Sequence, residues 1–494
     1  MRLAAAVILA ACAHTPDLPL RPDPSPPPGS TTDVFVARDG VQLLSRTWPL
    51  ADAKAVVVIE HGLKDHSDRY AAFAARLVAA GFAVYAYDLR GHGRSAGARV
   101  APESWFDYAD DLERFVTSVE KREPGKPLFV FGHSMGGAIA ALVAERHRPV
   151  IAGLILSGPA LAVDAPPILV GATTMAGVLT PDTPALVLDN REFSSDPANA
   201  VAMDHDPLIS QPPGPAKTVA GLVDGIHEIW RDVDQLTMPL LALHGSADKL
   251  TAPSGSRMLV RAAASTDKTL HIYDGLFHDL LHEPKHAQVE DDILAWLGAH
   301  TGGPAIEPTP IYAGHLAGDP KHFVQVVQSS AGVVFDGNTT FGGAFAMNIV
   351  DGRRVGYEFT FTGRLAGRYK TLSLRPVGVA LRAGDTTIGL SAGASLVTGT
   401  DVAYSGGAWL AQPAGPVHVE LLAEYARRVR DATGDAPGRA DLLWTGLSLR
   451  LGRDRRYWPG MRAGFGPVVD AGFDWLEGER GVSVTVGIAL YGAD

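Results

Sequence analysis

Between residues 33 and 300 the sequence keeps repeating one unit: a short apolar run, then a longer segment with apolar residues at helical spacing. The short runs are "AVVVIE" from Ala55, "FAVYAYDL" from Phe82, "LFVF" from Leu128, "IAGLILS" from Ile151, "PLLALHG" from Pro239 and "TLHIYD" from Thr269. Runs of this length suit strands buried on both faces. The helical segments include "SDRYAAFAARLVAA", stopped by Gly81, then "WFDYADDLERFVTSVEK", "AIAALVAERH" and "VEDDILAWLGAH". A hairpin, "VFVARDGVQLLSRTW", turns at Asp39-Gly40 ahead of them. Such alternation restricts the chain to a largely parallel sheet with helices on both faces, an α/β architecture. It stops over about 159–236, a stretch rich in Pro, Ala and Leu that is too long for a simple connection. A helical cap over the sheet edge is the expectation there.

The chain has 494 residues, more than one ordinary domain needs. After a linker at 301–319, containing "TGGPAIEPTP", residues 320–494 change character. In "GVSVTVGIALYG" Val482, Val484, Val486, Ile488 and Leu490 fall on one face, and Ser483, Thr485, Gly487, Ala489 and Tyr491 on the other. The expectation is an all-β antiparallel meander of about eight strands, able to close into a small barrel. A lipid-holding barrel, a soluble sandwich and an outer-membrane barrel are all open. For the last, Glu358, Thr360, Thr362 and Arg364, like His418, Glu420 and Glu424, would face inward, and Tyr357, Phe359 and Phe361 would face lipid.

The N-terminus, "MRLAAAVILAACAHTP", has one Arg before an apolar run too short to span a bilayer. It reads as a signal peptide over residues 1–11, ending in Leu9-Ala10-Ala11-Cys12, which resembles the bacterial lipobox. Cys12, the only cysteine, is then the lipidation site, and Ala13 after it suits the outer membrane. Residues 14–30 hold seven prolines, so 12–31 is expected to be an extended tether. The formal charge of −11, with no polybasic block, argues against nucleic acid as a partner. A cell-envelope lipoprotein is the expected location, with the side of the membrane open.

Gly132-His133-Ser134-Met135-Gly136 lies between a buried strand and a helix, where Gly-x-Ser-x-Gly forms a strained turn that exposes a serine hydroxyl. A serine needs a histidine base, and the histidine a carboxylate. Along the chain these should follow as Ser, acid, His. Asp248 follows the run "LLALHG" and His278 follows "TLHIYD". The rivals are Asp274, too close to His278 in sequence for the geometry, and His282, already entering a turn at Pro284. The oxyanion needs two donors. These are assigned to the backbone N–H of Met135, next after the nucleophile, and of Leu63, in "HGLKDHSDRY". His61 and His66 are expected to brace that loop. No metal-ligand spacing appears, and "DLRGHGRS" is no phosphate loop.

Through "HGLKDHSDRY", "YDLRGHGRS", "FGHSMGG", "LILSGPAL", "LHGSADKL" and "GLFHDLLHEP", residues 52–299 resemble the monoacylglycerol lipase and lysophospholipase group of α/β-hydrolases. The resemblance implies an α/β-hydrolase domain over 32–300 with a helical cap forming an acyl tunnel. It implies a serine esterase acting on single-chain lipids without a cofactor. It also carries the triad onto Ser134, Asp248 and His278, and the oxyanion hole onto Leu63 and Met135. Leu63 departs from the small residue usual after His-Gly, which narrows the alcohol side of the pocket. Nothing in these residues favours a peptidase. Two alternatives stay open: a non-catalytic envelope scaffold, and a hydrolase of other esters, lactones or amides.

Overall fold

The computed structural model describes residues 17–146, 151–162 and 167–303, together with the strands lying between 323 and 493. The signal, Cys12 and most of the linker lie outside the described residues. The chain divides into two compact units: residues 1–164 with 173–319 and 456–459, and residues 165–172 with 320–455 and 460–494.

In the first unit eight strands form one sheet: β1 (Thr31–Val36), β2 (Gln42–Trp48), β3 (Ala55–Glu60), β4 (Phe82–Tyr87), β5 (Leu128–His133), β6 (Gly153–Ser157), β7 (Leu240–Gly245) and β8 (Lys268–Tyr273). Their order is β1-β2-β4-β3-β5-β6-β7-β8. β1 and β2 pair antiparallel across the turn at Gly40, whose φ is +91°. β2 joins β4 antiparallel, and from β4 to β8 every pairing is parallel. Every residue of β3, β4, β5, β6 and β7 is buried, as a sheet covered on both faces requires.

The helices are α1 (Ala71–Ala79), α2 (Asp107–Arg122), α3 (Met135–Arg146), α4 (Pro167–Leu179), α5 (Pro197–His205), α6 (Ala216–Asp232), α7 (Pro253–Ala262) and α8 (His286–Ala299). α2 carries Asp107 and Asp110 in its first turn and Lys121 and Arg122 in its last, matching the helix dipole. α8 buries Val289, Ile293, Trp296 and Leu297 in a core shared with α1 and the sheet. Trp296 stands edge-on to Phe129, centroids 5.9 Å apart, over Gly153. A Cβ at Gly153 would come within 2.5 Å of that indole, so only glycine leaves room. Truncating Trp296 to alanine would cost about 3–5 kcal/mol.

After Ser157 the chain leaves the sheet and returns at Leu240, and α4, α5 and α6 lie in between. The stretch expected to be an extended tether is docked against the first unit over its described part. Asp17 and Leu18 pair with Ala98 and Gly97, and Arg21 N–H donates to the Arg94 carbonyl at 2.8 Å. Asp23 forms an ion pair with Arg46 at 2.9 Å, both side chains being buried. A buried guanidinium demands counter-charge, and Asp23 and Asp68 supply it to Arg46. The prolines keep this segment extended; the buried charge fixes where it lies.

In the second unit ten long strands follow: β9 (Phe323–Phe335), β10 (Thr339–Asp351), β11 (Val355–Arg364), β12 (Thr371–Ala383), β13 (Thr386–Val397), β14 (Asp401–Ala414), β15 (Val417–Arg428), β16 (Asp441–Leu451), β17 (Met461–Leu476) and β18 (Glu479–Ala493). Each pairs antiparallel with the next. β18 pairs back onto β9, which closes the ring. The meander therefore has ten long strands among the described residues, not about eight. Glycine and alanine in "FGGAFA", "SGGAW" and "AGFGPV" blur the period-two pattern that marks a strand in sequence.

Candidate active site

Ser134 sits between the last residue of β5 and the first of α3. Its φ of +54° is in the left-handed region that non-glycine residues seldom adopt. The turn is held from several sides. Ser134 N–H donates to the Ser157 carbonyl at 2.9 Å, and its own carbonyl accepts from Gly137, Ala138 and Ala160. A Cβ at Gly132 would lie 2.5 Å from the Gly136 carbonyl oxygen. One at Gly136 would lie 2.4 Å from the carbonyl oxygens of both Glu60 and His61. Both flanking positions are closed to any side chain, which is the physical content of Gly-x-Ser-x-Gly.

Asp248, in the loop after β7, accepts a hydrogen bond from His278 Nδ1 on its Oδ2 at 2.7 Å. That oxygen also accepts from Thr251 Oγ1 at 2.9 Å and lies 3.1 Å from His244 Nε2. Its Oδ1 accepts the backbone N–H groups of Leu250 and Thr251 at 2.8 and 2.9 Å. Burial works to raise this carboxyl, but His278 and His244 beside it hold it well below the usual carboxylate range. An ionised Asp248 keeps the proton on His278 Nδ1 and leaves Nε2 with its lone pair.

The link to Ser134 runs through Ser157-Gly158. Ser157 holds the Ser134 N–H, and a Cβ on Gly158 would come within 3.3 Å of His278 Nδ1. The Gly158 carbonyl accepts from Thr251. His133 packs its ring 4.9 Å from that of His278. Burial first, and His278 second, push His133 down to about 4, so it stays neutral at neutral pH. Phe193 of the cap covers the His278 ring at 5.7 Å, edge-on. The rivals lie elsewhere: His282 pairs with Asp279 at 2.9 Å, and Asp274 accepts an exposed bond from Ser246.

Met135 is the first residue of α3, so its N–H has no intrahelical acceptor. The Leu63 loop touches the same turn, since a Cβ on Gly62 would lie 3.0 Å from Ser134 Cβ. Lys64, next after Leu63, is at φ +56°. His61 spans Gly62 and Leu89, with Nδ1 2.8 Å from the Gly62 carbonyl and Nε2 accepting the Leu89 N–H at 2.9 Å. His66 reaches Asp206 at 2.9 Å. Both histidines therefore brace the loop. Lys64 and Asp65 do so as well: Lys64 Nζ donates to the Leu188 carbonyl and Asn190 Oδ1, at 3.1 and 2.7 Å.

A set of supporting residues had no motif of its own in the sequence. Asp65 binds Arg69 at 2.9 Å and accepts from Tyr70 at 2.7 Å, and Arg69 continues to Asp279 at 2.7 Å. Asp88, in "YDLRGHGRS", accepts from the Ser67 N–H and hydroxyl and from the Arg94 N–H. A Cβ on Gly93 would lie 2.2 Å from Asp88 Oδ2. The i, i+4 spacing of Asp65 and Arg69 was the readable signal for the first set.

Between the Leu63 loop and the cap lies a narrow cleft of about 30 Å³, partly open to solvent. Leu63, Val100, Leu186, Val187, Leu188 and Pro213 give it a mostly apolar lining. Among the described residues no cluster of His, Cys, Asp and Glu is arranged to hold a metal.

Residues 51–285 match the family described as serine aminopeptidase, S33. The chain is 36% identical over 269 residues to the monoacylglycerol lipase of Mycolicibacterium smegmatis, covering 54% of this chain and 96% of that one. It is 33% identical to the human monoglyceride lipase, covering 54% and 90% respectively. Among solved structures, a Paleococcus ferrophilus monoacylglycerol lipase matches with 30% identity and a TM-score of 0.47, over 52% of this chain and 99% of that one.

Proposed function

The chain belongs to the monoacylglycerol lipase group of the serine aminopeptidase S33 α/β-hydrolases, and from that premise we propose how it acts. It is a carboxylic ester hydrolase, and its substrate is a single-chain lipid ester such as a monoacylglycerol or lysophospholipid. Ser134 Oγ attacks the ester carbonyl carbon while its proton passes to His278 Nε2. Asp248 orients the imidazole and offsets its new charge. The N–H groups of Leu63 and Met135 hold the oxyanion. Collapse expels the alcohol, which takes the proton from His278 and leaves the acyl group on Ser134. A water then gives its proton to His278 as it attacks the acyl carbon; on collapse Ser134 Oγ leaves, takes that proton back from His278, and the fatty acid is released. The observation that carries this reading is the 2.7 Å Asp248–His278 pair, packed against the Ser157-Gly158 corner that also fixes Ser134.

The likeness to monoacylglycerol and monoglyceride lipases supports a lipid over a small polar ester, and the apolar side chains of Leu63, Val100, Leu186 and Leu188 beside the proposed oxyanion loop agree with it. Hydrolysis of a monoacylglycerol series graded by chain length tests the substrate class. Turnover rising from short to medium or long chains supports it; activity confined to short esters rejects it.

The same reading places the enzyme in the cell envelope, with an outer-membrane lipid anchor on Cys12. Asp17 is already paired with Ala98, so at most residues 13–16 separate the docked chain from the anchor. Extended, they and their flanking bonds span at most about 18 Å, keeping the hydrolase unit near the bilayer surface. Incorporation of radiolabelled palmitate, lost in Cys12→Ser, tests the anchor; equal labelling of both proteins refutes it.

A further inference from the structure

Over its described side chains the ring β9–β18 is inside out relative to a water-soluble barrel. A soluble barrel keeps large apolar side chains within and polar ones outside. Here Leu372, Leu374, Val377, Val379 and Leu381 of β12 are exposed, while Ser373 and Arg375 of the same strand are buried. On β13 Ile388, Leu390 and Leu396 are exposed and Ser391 and Ser395 buried. Among the described residues, fourteen of the twenty exposed large apolar side chains belong to this ring.

Among the described residues each face continues from strand to strand. On the outside Val379 stands opposite Leu390, Ile388 opposite Leu410, Leu410 opposite Leu421, and Val469 opposite Val486. On the inside Ser395 donates to Ser373 at 2.7 Å, and Arg375 forms an ion pair with Glu424 across the lumen. A Cβ on Gly407 would lie 3.2 Å from Arg375 Nε, so glycine makes room for the guanidinium. Such a pair inside a barrel carries a desolvation cost that its own attraction and hydrogen bonds must offset.

We infer that residues 323–493 form a ten-stranded transmembrane β-barrel whose outer face is solvated by lipid acyl chains. The ring is closed, so no strand edge would meet hydrocarbon. Its strands are 10 to 16 residues long, where a tilted crossing needs about 9–11. The strand number is even, as in bacterial single-chain barrels. Lipid, and not a second copy, is the occupant because the exposed apolar residues extend over β12, β13, β14, β15, β17 and β18. A partner subunit would cover one side of the ring; a bilayer covers every side. This inference stands independently of the hydrolase mechanism.

The test uses the full chain with Cys12→Ser, which removes any acyl anchor and leaves no other cysteine. Leu390→Cys and Ser391→Cys, adjacent residues on opposite faces, are each labelled with a small fluorophore and folded into phosphatidylcholine vesicles. Hydrolase turnover in the same samples reports that the chain is folded. The expected result is flotation with the vesicles, resistance to carbonate extraction, and quenching by brominated acyl chains at 390 but not at 391. Active protein left in the aqueous phase, or equal quenching at both positions, would overturn the inference. So would a soluble oligomer in which the 390 label is shielded without lipid.

Discussion

Arg69 donates to Asp279 at 2.7 Å, and Asp279 is the residue directly after His278. Through its other face Arg69 binds Asp65, two residues beyond Leu63. One guanidinium thus joins the loop carrying the base to the loop proposed to hold the oxyanion. Arg69→Met would strip buried Asp65 of its guanidinium and leave Asp279 with His282 alone, a loss of about 3–5 kcal/mol. Urea unfolding checks the stability, and turnover of the surviving folded fraction should fall as well. An unchanged urea midpoint would show that the link has no structural weight.

Asp248→Asn should preserve the fold near neutral pH while lowering turnover by about 10⁴, because the imidazole tautomer is no longer fixed. Asp248 and Asp279 both titrate below the ordinary carboxylate range in the folded chain. Their stabilisation is therefore present above the unfolded value of about 3.9 and disappears as pH falls through the folded values. The wild type should lose stability below about pH 4, and Asp248→Asn should lose less of it. Thermal melts across this range measure the difference.

Glu145, in α3, is buried with neither carboxylate oxygen hydrogen-bonded among the described residues. Burial, then Asp232 and Asp234, raise it to about 10. Because the folded value lies above the unfolded one, its stabilising effect is full below about pH 4.5 and erodes as pH rises toward the folded value. Glu145→Gln should stabilise the protein at pH 8, by about 1–3 kcal/mol, and make little difference at pH 4. Chemical denaturation at the two pH values checks it.

Gly136→Ala places a methyl within 2.4 Å of two carbonyl oxygens at the end of β3. The helix start must move away from the Leu63 loop, so turnover should drop by at least about 10² through the oxyanion hole. KM should change little if folding is retained. A variant with wild-type turnover would contradict the placement of that hole.

Lys64 ties its loop to cap residues Leu188 and Asn190. Lys64→Met keeps the stem and removes the tie. The expected outcome is a KM several-fold higher for long-chain esters, with short-ester turnover nearly unchanged. Equal effects on both would locate Lys64 in the chemistry instead of the cap.

The core strands were legible because burial on both faces writes them as unbroken apolar runs, as in "AVVVIE" and "LFVF". Ser134, Asp248 and His278 were legible because each follows such a run. Of the supporting network only the i, i+4 pair Asp65–Arg69 left a signal in the sequence; its reach to Asp279 was not legible, since that contact forms only when distant loops converge. Asp23 looked like part of a solvated proline-rich segment until Arg46, buried in β2, gave it a partner. In the ring, period two revealed the strands but not which face points outward; the burial of Arg375 and exposure of Leu374 decide that.

The central claim is that Ser134 forms the acyl-enzyme during hydrolysis of a single-chain lipid ester. The direct measurement is turnover of a long-chain monoacylglycerol by the full chain and by Ser134→Ala, with acid-quenched enzyme mapped by mass spectrometry. The account predicts an acyl adduct on the peptide containing Ser134, and a loss of at least about 10⁴ in turnover for the variant. Comparable turnover by Ser134→Ala, or an adduct on another residue, would contradict it.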